Sequence, residues 1–441
     1  MSSNVATIVY AIAIMALFVL DRDRDRRTRV SMALWIAVAW VSIGSSRMVS
    51  LWFAPLTYES PDQYLDGSPV DRLILSGLLS AGLIVLLSRG ERVGAFLRSN
   101  GPILLFFLYG VASVLWSDYP DVAFKRWTKA FGNLVMVMVV LTDPEPVAAI
   151  KHLFKRVGFL LIPLSILLIK YYPELGRTYN RWTWVPYYNG VATEKNSLGF
   201  ICLIFGLGSL WLFLDTVRNG EHPHRTRPLI AQGTILAMTA WLFAKADSAT
   251  SLACFLVGGV LIVLTGSRSR ALRPTAVNFL AGGMVSVCVL GVFVTPDVGL
   301  VQAMGRNQNL TGRTELWHEL VQMDVDPLFG TGFESFWLGK RAKALWKRHW
   351  WHPNEAHNGY LETYLNLGFT GVVLLGFLMI WGYRNVVDAV YRDPEVGSMR
   401  LAFVVVAALY NLTEAGFKDL HPVWITFLLA AAVVPTLHRN E

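Results

Sequence analysis

Arg313, His357 and Asn358 stand in a polar, aromatic stretch, residues 311–371, that runs straight into an apolar span: TGRTELWHEL, then DPLFGTGFESF, then HNGYLETYLNLGFTG. A guanidinium fork binds phosphate bidentately. An imidazole with a reference pKa near ~6.5 can accept a proton at neutral pH. Several Trp accompany them, so the set suggests chemistry on a lipid-borne anion, with His357 as general base; capping or anchoring at the interface is its structural alternative. His349, His352 and His357 are close enough in sequence to ligate zinc, but no H-x3-H helical pair or cysteine partner supports this. Asp324 and Asp326 could hold a divalent metal, although Asp326-Pro327 followed by Leu-Phe-Gly-Thr-Gly reads as a helix end entering a turn. Asp21, Asp23 and Asp25 form a D-x-D pattern among five arginines, better read as a self-paired topology anchor.

The elements that must position these groups are helices in a membrane. Of the 441 residues 54% are hydrophobic and 16% charged, with a mean hydropathy of +0.44; soluble chains carry about 25% charged residues. About thirteen apolar spans are expected, centred near residues 12, 38, 80, 109, 135, 162, 205, 237, 259, 285, 371, 407 and 430, because ~20 apolar residues cross a bilayer of ~30 Å. The fold class is therefore an all-α polytopic membrane protein with about 12–13 transmembrane helices. The division is a helical bundle with short outer loops over 1–295, a large loop with amphipathic helices over 296–358, and carboxy-terminal transmembrane helices over 359–441. The first span lacks a basic leader and a cleavage site and reads as retained. Cys202, Cys254 and Cys288 have no CxxC spacing and read as small core residues. Leu316, Leu320 and Met323 share one face of an amphipathic helix that would hold Arg313 toward a cavity, and Gly368 and Gly371 would let the next helix pack closely.

The net charge of +8 follows topology, not nucleic acid. Short basic connections at 21–29, 88–98, 151–156, 218–227, 267–273 and 384–400 mark the cytoplasmic side, which puts the N-terminus outside. The alternate connections also carry cations: Lys125 and Arg126, then Arg177 and Arg181, then Arg306, Arg313 and KRAKALWKRHW at 340–350. Long loops can cross regardless of charge; an anionic substrate outside the membrane explains all three loops. Their aromatics, among them Tyr187, Tyr188, Trp317 and Trp346, suit either an interfacial belt or the stacking of sugar rings.

Together these residues resemble the O-antigen ligase and polymerase superfamily, which includes exopolysaccharide polymerases. The resemblance is carried by Gly312-Arg313 with Trp317, by Pro327-Leu328 with Gly330 and Gly332, and by His357-Asn358 followed after nine residues by Gly368 and Gly371. Weaker matches are Trp116-Ser117 with Pro120 and Arg126, and Gly190 with Lys195-Asn196 and Leu198-Gly199; many relatives have histidine where this chain has Glu194. The resemblance implies a metal-independent, inverting glycosyltransferase of the GT-C type, without cofactor, in the bacterial inner membrane and with its active site facing the periplasm. It would move an oligosaccharide from undecaprenyl pyrophosphate to a second lipid-linked glycan (a polymerase) or to lipid A-core (a ligase). In that reading His357 is the base and Arg313 and Arg126 clamp the pyrophosphate, with Arg177 and Lys195 as further phosphate ligands. Asn196, Trp317 and Asn358 would support the site or touch glycan. A chain-length regulator is a possible partner. A flippase for the same lipid-linked glycan would place cations deep within its spans, and a non-catalytic scaffold would leave the histidine–glycine spacing without purpose.

Overall fold

The computed structural model describes residues 1–21, 30–53, 67–179, 184–218, 225–267, 272–293 and 313–434. The helices relevant here are α1 (Ser3–Leu20), α2 (Leu34–Gly44), α3 (Pro69–Ser88), α4 (Gly101–Ala112), α5 (Pro120–Leu141), α6 (Pro146–Tyr171), α7 (Lys195–Arg218) and α8 (Thr226–Ala246). After them come α9 (Ala249–Thr265), α10 (Pro274–Phe293), α11 (Arg313–Val321), α12 (Gly339–Arg348), α13 (Gly359–Arg392), α14 (Pro394–Tyr410) and α15 (Pro422–Ala431). A two-stranded antiparallel hairpin, β1 (Arg177–Tyr179) and β2 (Pro186–Tyr188), links α6 to α7. Much of the anticipated D-x-D segment, together with Arg181, Arg306 and Gly312, lies outside the described residues.

Each of the thirteen expected centres falls inside a helix. Among the described residues, six helices (α1, α3, α6, α7, α8 and α13) are by themselves long and apolar enough to cross a membrane, or seven if the pair Gly90–Ser99 and Gly101–Trp116, bent by 88°, is one broken span. The others fall short for physical reasons. Helices α2, α9 and α15 have 11, 17 and 10 residues, against the ~20 that a rise of about 1.5 Å per residue requires. Helix α5 has 22 residues but carries Asp121, Lys125, Arg126 and Lys129 in its first half.

Helices α6 and α7 form the centre, with 72% and 78% of their most apolar window buried, whereas α1 and α3 bury 11% and 17%. On α1 the exposed side chains include Ile8, Ile12, Met15 and Val19, a face that suits lipid rather than water. Inside, Trp40, Phe159, Phe205, Trp211, Phe403 and Phe427 are fully buried.

The connections sort to two ends of the bundle. At one end Asp21 pairs with Lys155 at 3.1 Å, Arg89 with Asp143 at 3.3 Å, and Lys151 with Asp215 at 2.7 Å and Glu395 at 3.1 Å. These residues lie in or beside the basic connections assigned to one side. At the other end Asn196 at the start of α7 meets Glu414 after α14, and Gly359 at the start of α13 donates its N–H to the Asn411 and Glu414 carbonyls.

The glycine spacing has an explanation other than helix–helix packing. Helix α13 is broken at Gly368, whose φ/ψ of 64° and −169° are non-helical. The loop after α11 runs along the break like an added strand. Phe369 N–H donates to the Pro327 carbonyl at 2.8 Å, Thr370 N–H to the Leu328 carbonyl at 3.2 Å, Thr331 N–H to the Leu365 carbonyl at 3.1 Å and Gly332 N–H to the Asn366 carbonyl at 2.9 Å. The break frees backbone groups and the Pro-Leu-Phe-Gly-Thr-Gly loop satisfies them, as buried backbone requires. A Cβ on Gly368 would collide with the Leu328 backbone, and one on Gly330 with that of Asn366 and Leu367. Gly368→Ala should therefore cost roughly 1–3 kcal/mol from the positive φ alone and more from the collision. It should lower the melting temperature of purified protein markedly or abolish the folded peak on size-exclusion chromatography; an unchanged melt would refute the pairing.

Candidate functional site

The loop entering α13 is held tightly. Asn358 caps the helix, its Oδ1 accepting from the Tyr360 and Leu361 N–H groups at 3.0 Å each while Nδ2 donates to the Leu412 carbonyl at 3.2 Å. Trp317 donates its indole N–H to the Ala356 carbonyl at 2.6 Å, and the Glu362 carboxylate accepts from Ala356 N–H at 2.8 Å and from the Trp337 indole at 2.5 Å. Asn358 and Trp317, expected to support the site or touch glycan, are thus both engaged with the backbone around His357. Between these clamps His357 has φ of +49°, an unfavourable backbone that the surrounding contacts impose.

Glu414 gathers the site. Its Oε1 lies 3.1 Å from Arg313 Nη2 and accepts from Asn196 Nδ2 at 3.3 Å, and its Oε2 lies 3.5 Å from His357 Nδ1. Arg313 also donates to the Thr413 carbonyl. Arg313 and Glu414 are only 8% and 4% exposed, so this is a buried ion pair, and the amphipathic α11 does deliver Arg313 inward, with Leu316 and Leu320 buried beside it. Glu355 is the second carboxylate, with Oε1 2.8 Å from His357 Nδ1 and Oε2 paired with Lys418. Beside them lies a cavity of about 260 Å³ lined by Glu194, Asn196, Glu355, Glu414, Lys418 and Asp419 among others.

This setting overturns the expectation of a near-neutral imidazole. Burial alone would depress the His357 pKa, but hydrogen bonding and charge from Glu355 and Glu414 outweigh it and raise the pKa to about 9. Burial likewise would raise Glu355, yet Lys418 and His357 hold it below the usual carboxylate range. Lys418 is driven above its ordinary value because Glu355 outweighs desolvation. His421 is the opposite case: burial, with Lys418 nearby, pushes it down to about 3, and its neutral Nδ1 accepts from Val423 N–H at 3.2 Å to start α15.

Arg126 lies at the far edge of the network, donating to the Glu334 carbonyl. The Glu334 carboxyl is raised to about 8 by burial and by Asp419 and Glu362, with Arg126 and Lys418 opposing. Arg177 and Lys195 do not join Arg313. They lie beside the hairpin, Arg177 over Tyr188 at 5.6 Å and Lys195 over Tyr187 at 5.0 Å with Asp247 at 3.2 Å.

The candidate metal groups do not assemble as a histidine triad. His349 pairs with Glu319 at 2.6 Å, and His352 stacks on Trp346 with ring centroids 4.3 Å apart. Asp326 accepts from the Leu328 and Phe329 N–H groups at 2.8 and 2.9 Å, a turn cap. Glu355, His357 and Glu414 do bring one ligand atom each within 4.8 Å of one another. Lys418 and Arg313 already pair with the remaining oxygens of those two carboxylates.

Sequence reasoning missed Glu355, Glu414 and Lys418. The available signal was NLTEAGFKDLH at 411–421, a short connection between apolar helices that carries two acids, a lysine and a histidine. Because Arg313 has Glu414 as a buried counter-ion, Glu414→Ala should destabilise by about 3–5 kcal/mol, and replacing both by leucine should recover most of it; a melt of Glu414→Ala equal to wild type would disprove the pairing. For His357 the raised pKa means stability fully present below pH ~6.5 and lost as pH rises through about 9, on the order of 3 kcal/mol. A pH series of thermal melts should show this loss for wild type and not for His357→Gln.

The O-antigen ligase family matches residues 233–376, a range that includes Arg313, His357 and the broken helix. The exopolysaccharide production protein ExoQ of Rhizobium meliloti is 23% identical over 307 residues, covering 66% of this chain and 67% of that protein. A Rickettsia conorii protein provisionally named a polysaccharide ligase is 19% identical over 251 residues, covering 54% of this chain and 58% of its own length. With the Gly312-Arg313 and histidine–glycine motifs in place within that range, these matches support the resemblance of the chain to the O-antigen ligase and polymerase superfamily.

Proposed function

We propose that the protein is a membrane glycosyltransferase that moves an oligosaccharide from undecaprenyl pyrophosphate, at the periplasmic face, onto a second lipid-linked repeat unit. The observation that supports this most is the convergence of Arg313, His357 and Asn196 on the buried Glu414, beside a polar cavity at one end of an apolar bundle. Polymerisation fits the exopolysaccharide production protein among the relatives. Transfer to lipid A-core is the second reading, favoured by the family's description as an O-antigen ligase.

In the proposed reaction the acceptor hydroxyl attacks the anomeric carbon, the bond from that carbon to the pyrophosphate oxygen breaks, and the electron pair leaves on phosphate. In-line displacement inverts the anomeric centre. The growing negative charge is met by fixed cations, Arg313 and, from the edge of the network, Arg126; removing one such donor typically costs ~10²–10³ in rate. The hydroxyl proton passes to His357. With Nδ1 against Glu355, Nε2 is the nitrogen for that transfer, and Glu355 orients the ring as the carboxylate does in a catalytic triad. A base of this kind contributes about 10²–10⁴. The scheme draws on no metal: Lys418 pairs with Glu355 and Arg313 with Glu414.

A base with a pKa of about 9 is mostly protonated at neutral pH. Transfer should therefore quicken roughly tenfold per pH unit from 7 toward 9, and level off above. His357→Ala should be slower by ~10² or more and lose this pH dependence. A rate that instead falls over the same range would assign the imidazolium to the leaving pyrophosphate and remove His357 as the base. The assay uses purified protein with a synthetic polyprenyl-pyrophosphate oligosaccharide and EDTA. A ladder of longer lipid-linked glycans marks a polymerase, product on core lipid alone a ligase, and neither product from folded wild type would defeat both readings. Arg313→Lys should retain charge yet lose most activity, because a point charge does not replace a bidentate fork.

A further inference from the structure

The hairpin between α6 and α7, with the helix ends beside it, carries a second constellation of cations, distinct from the Arg313–Glu414 network. Lys170, from the last turn of α6, lies 5.0 Å over the Trp241 ring, and Lys245, from the last turn of α8, lies 5.8 Å from the same ring. Lys245 also lies 5.4 Å from the Tyr188 ring, beside which Arg177 stands at 5.6 Å. Lys195, from the first turn of α7, completes the group over Tyr187. Four elements thus place four cations among three aromatic rings. Among the described residues the carboxylate ion-paired with them is Asp247, held to Lys195, and its side chain is 81% exposed.

Two ordinary explanations fit poorly. A lipid-facing belt of lysines and aromatics would spread around the bundle, whereas Trp241 and Lys245 of α8 and Tyr187 and Tyr188 of the hairpin are half-buried together. Structural ion pairing would bring carboxylates in comparable number. Like charges held this close repel one another, and an anionic ligand relieves the repulsion. Pyrophosphate alone has no use for aromatic faces. A sugar ring does, and a carboxylated sugar uses both kinds of group, with the guanidinium able to take the carboxylate bidentately.

We propose that Lys170, Arg177, Lys195 and Lys245, with Tyr188 and Trp241, form a subsite for acidic sugar residues of a glycan chain. The proposal rests on the glycan-transfer reading above, and deepens it by naming a chemical class of glycan. Asn196, next to Lys195, reaches Glu414, so the start of α7 contributes one residue to this group and the next to the candidate transfer site.

The test is equilibrium binding, which needs no turnover and so fails or succeeds independently of the transfer reaction. Purified protein in nanodiscs of neutral lipid is titrated with a short oligogalacturonate and with a neutral oligosaccharide of equal length. The acidic oligomer should bind at least about tenfold more tightly, and the advantage should shrink with salt. A Lys170→Ala/Lys245→Ala double variant should lose the advantage, and a Lys170→Arg/Lys245→Arg variant should keep it. Should the alanine double variant fail to fold, Lys170→Gln alone, at an exposed position, should reduce the preference severalfold. Equal affinity for both oligomers, or an undiminished preference in the folded alanine variant, overturns the proposal. Displacement of the oligomer by inorganic pyrophosphate would assign the patch to the donor's phosphates instead. Competition by phosphatidylglycerol vesicles would assign it to the membrane surface.

Discussion

A carboxylate taken out of water must be compensated, and Glu414 is compensated by three residues from distant parts of the chain. Arg313 from α11, Asn196 from α7 and His357 before α13 all converge on it, while its own backbone carbonyl receives the Gly359 N–H that begins α13. Desolvation makes an unpaired charge here costly, so the connection after α14, the start of α7 and the loop before α13 are obliged to meet. Binding groups from three segments become one polar wall at a helix-bundle end. The carboxylates gathered there also set the protonation of His357 against the opposing effect of burial, which no isolated histidine would show.

A second constraint is the break at Gly368. A continuous helix would offer its neighbours only side chains, but a break exposes backbone donors and acceptors, and the loop carrying Pro327 to Gly332 uses them. That loop leads to Phe336 and Trp337, which pack with Leu316, Leu320 and Leu365 into a small separate core. Trp337 then fixes Glu362, Glu362 fixes Ala356, and Ala356 precedes His357. Motif glycines more than ten residues from the histidine therefore act on it through a chain of hydrogen bonds.

Charge divides between the two ends of the bundle in different styles. At the end with the basic connections, lysines and arginines are matched by Asp21, Asp143, Asp215 and Glu395, which anchors helix ends and leaves little for a ligand. At the opposite end the matching is uneven. Around Glu414 acids and bases alternate, whereas beside the hairpin, among the described residues, cations outnumber the carboxylates paired with them and aromatic rings stand between them.

Much of the architecture was legible in the sequence because helix formation in an apolar chain is a local matter. Runs of apolar residues located thirteen helices, and the alternation of basic connections anticipated the two ends. Arg313, His357 and the glycine spacing were also visible, since their types and order are local features. Local reading failed where the answer depended on what stands opposite. It could not show that α2 and α15 stop at 11 and 10 residues, because their ends are set by neighbouring turns. It could not pair Arg313 with Glu414 across 101 positions, nor separate Arg177 and Lys195 from Arg313, because all three are simply cations in outer connections. Nor could it foresee a His357 pKa of about 9, since that value belongs to the desolvated carboxylates around the ring and exists only once the tertiary fold has brought them there.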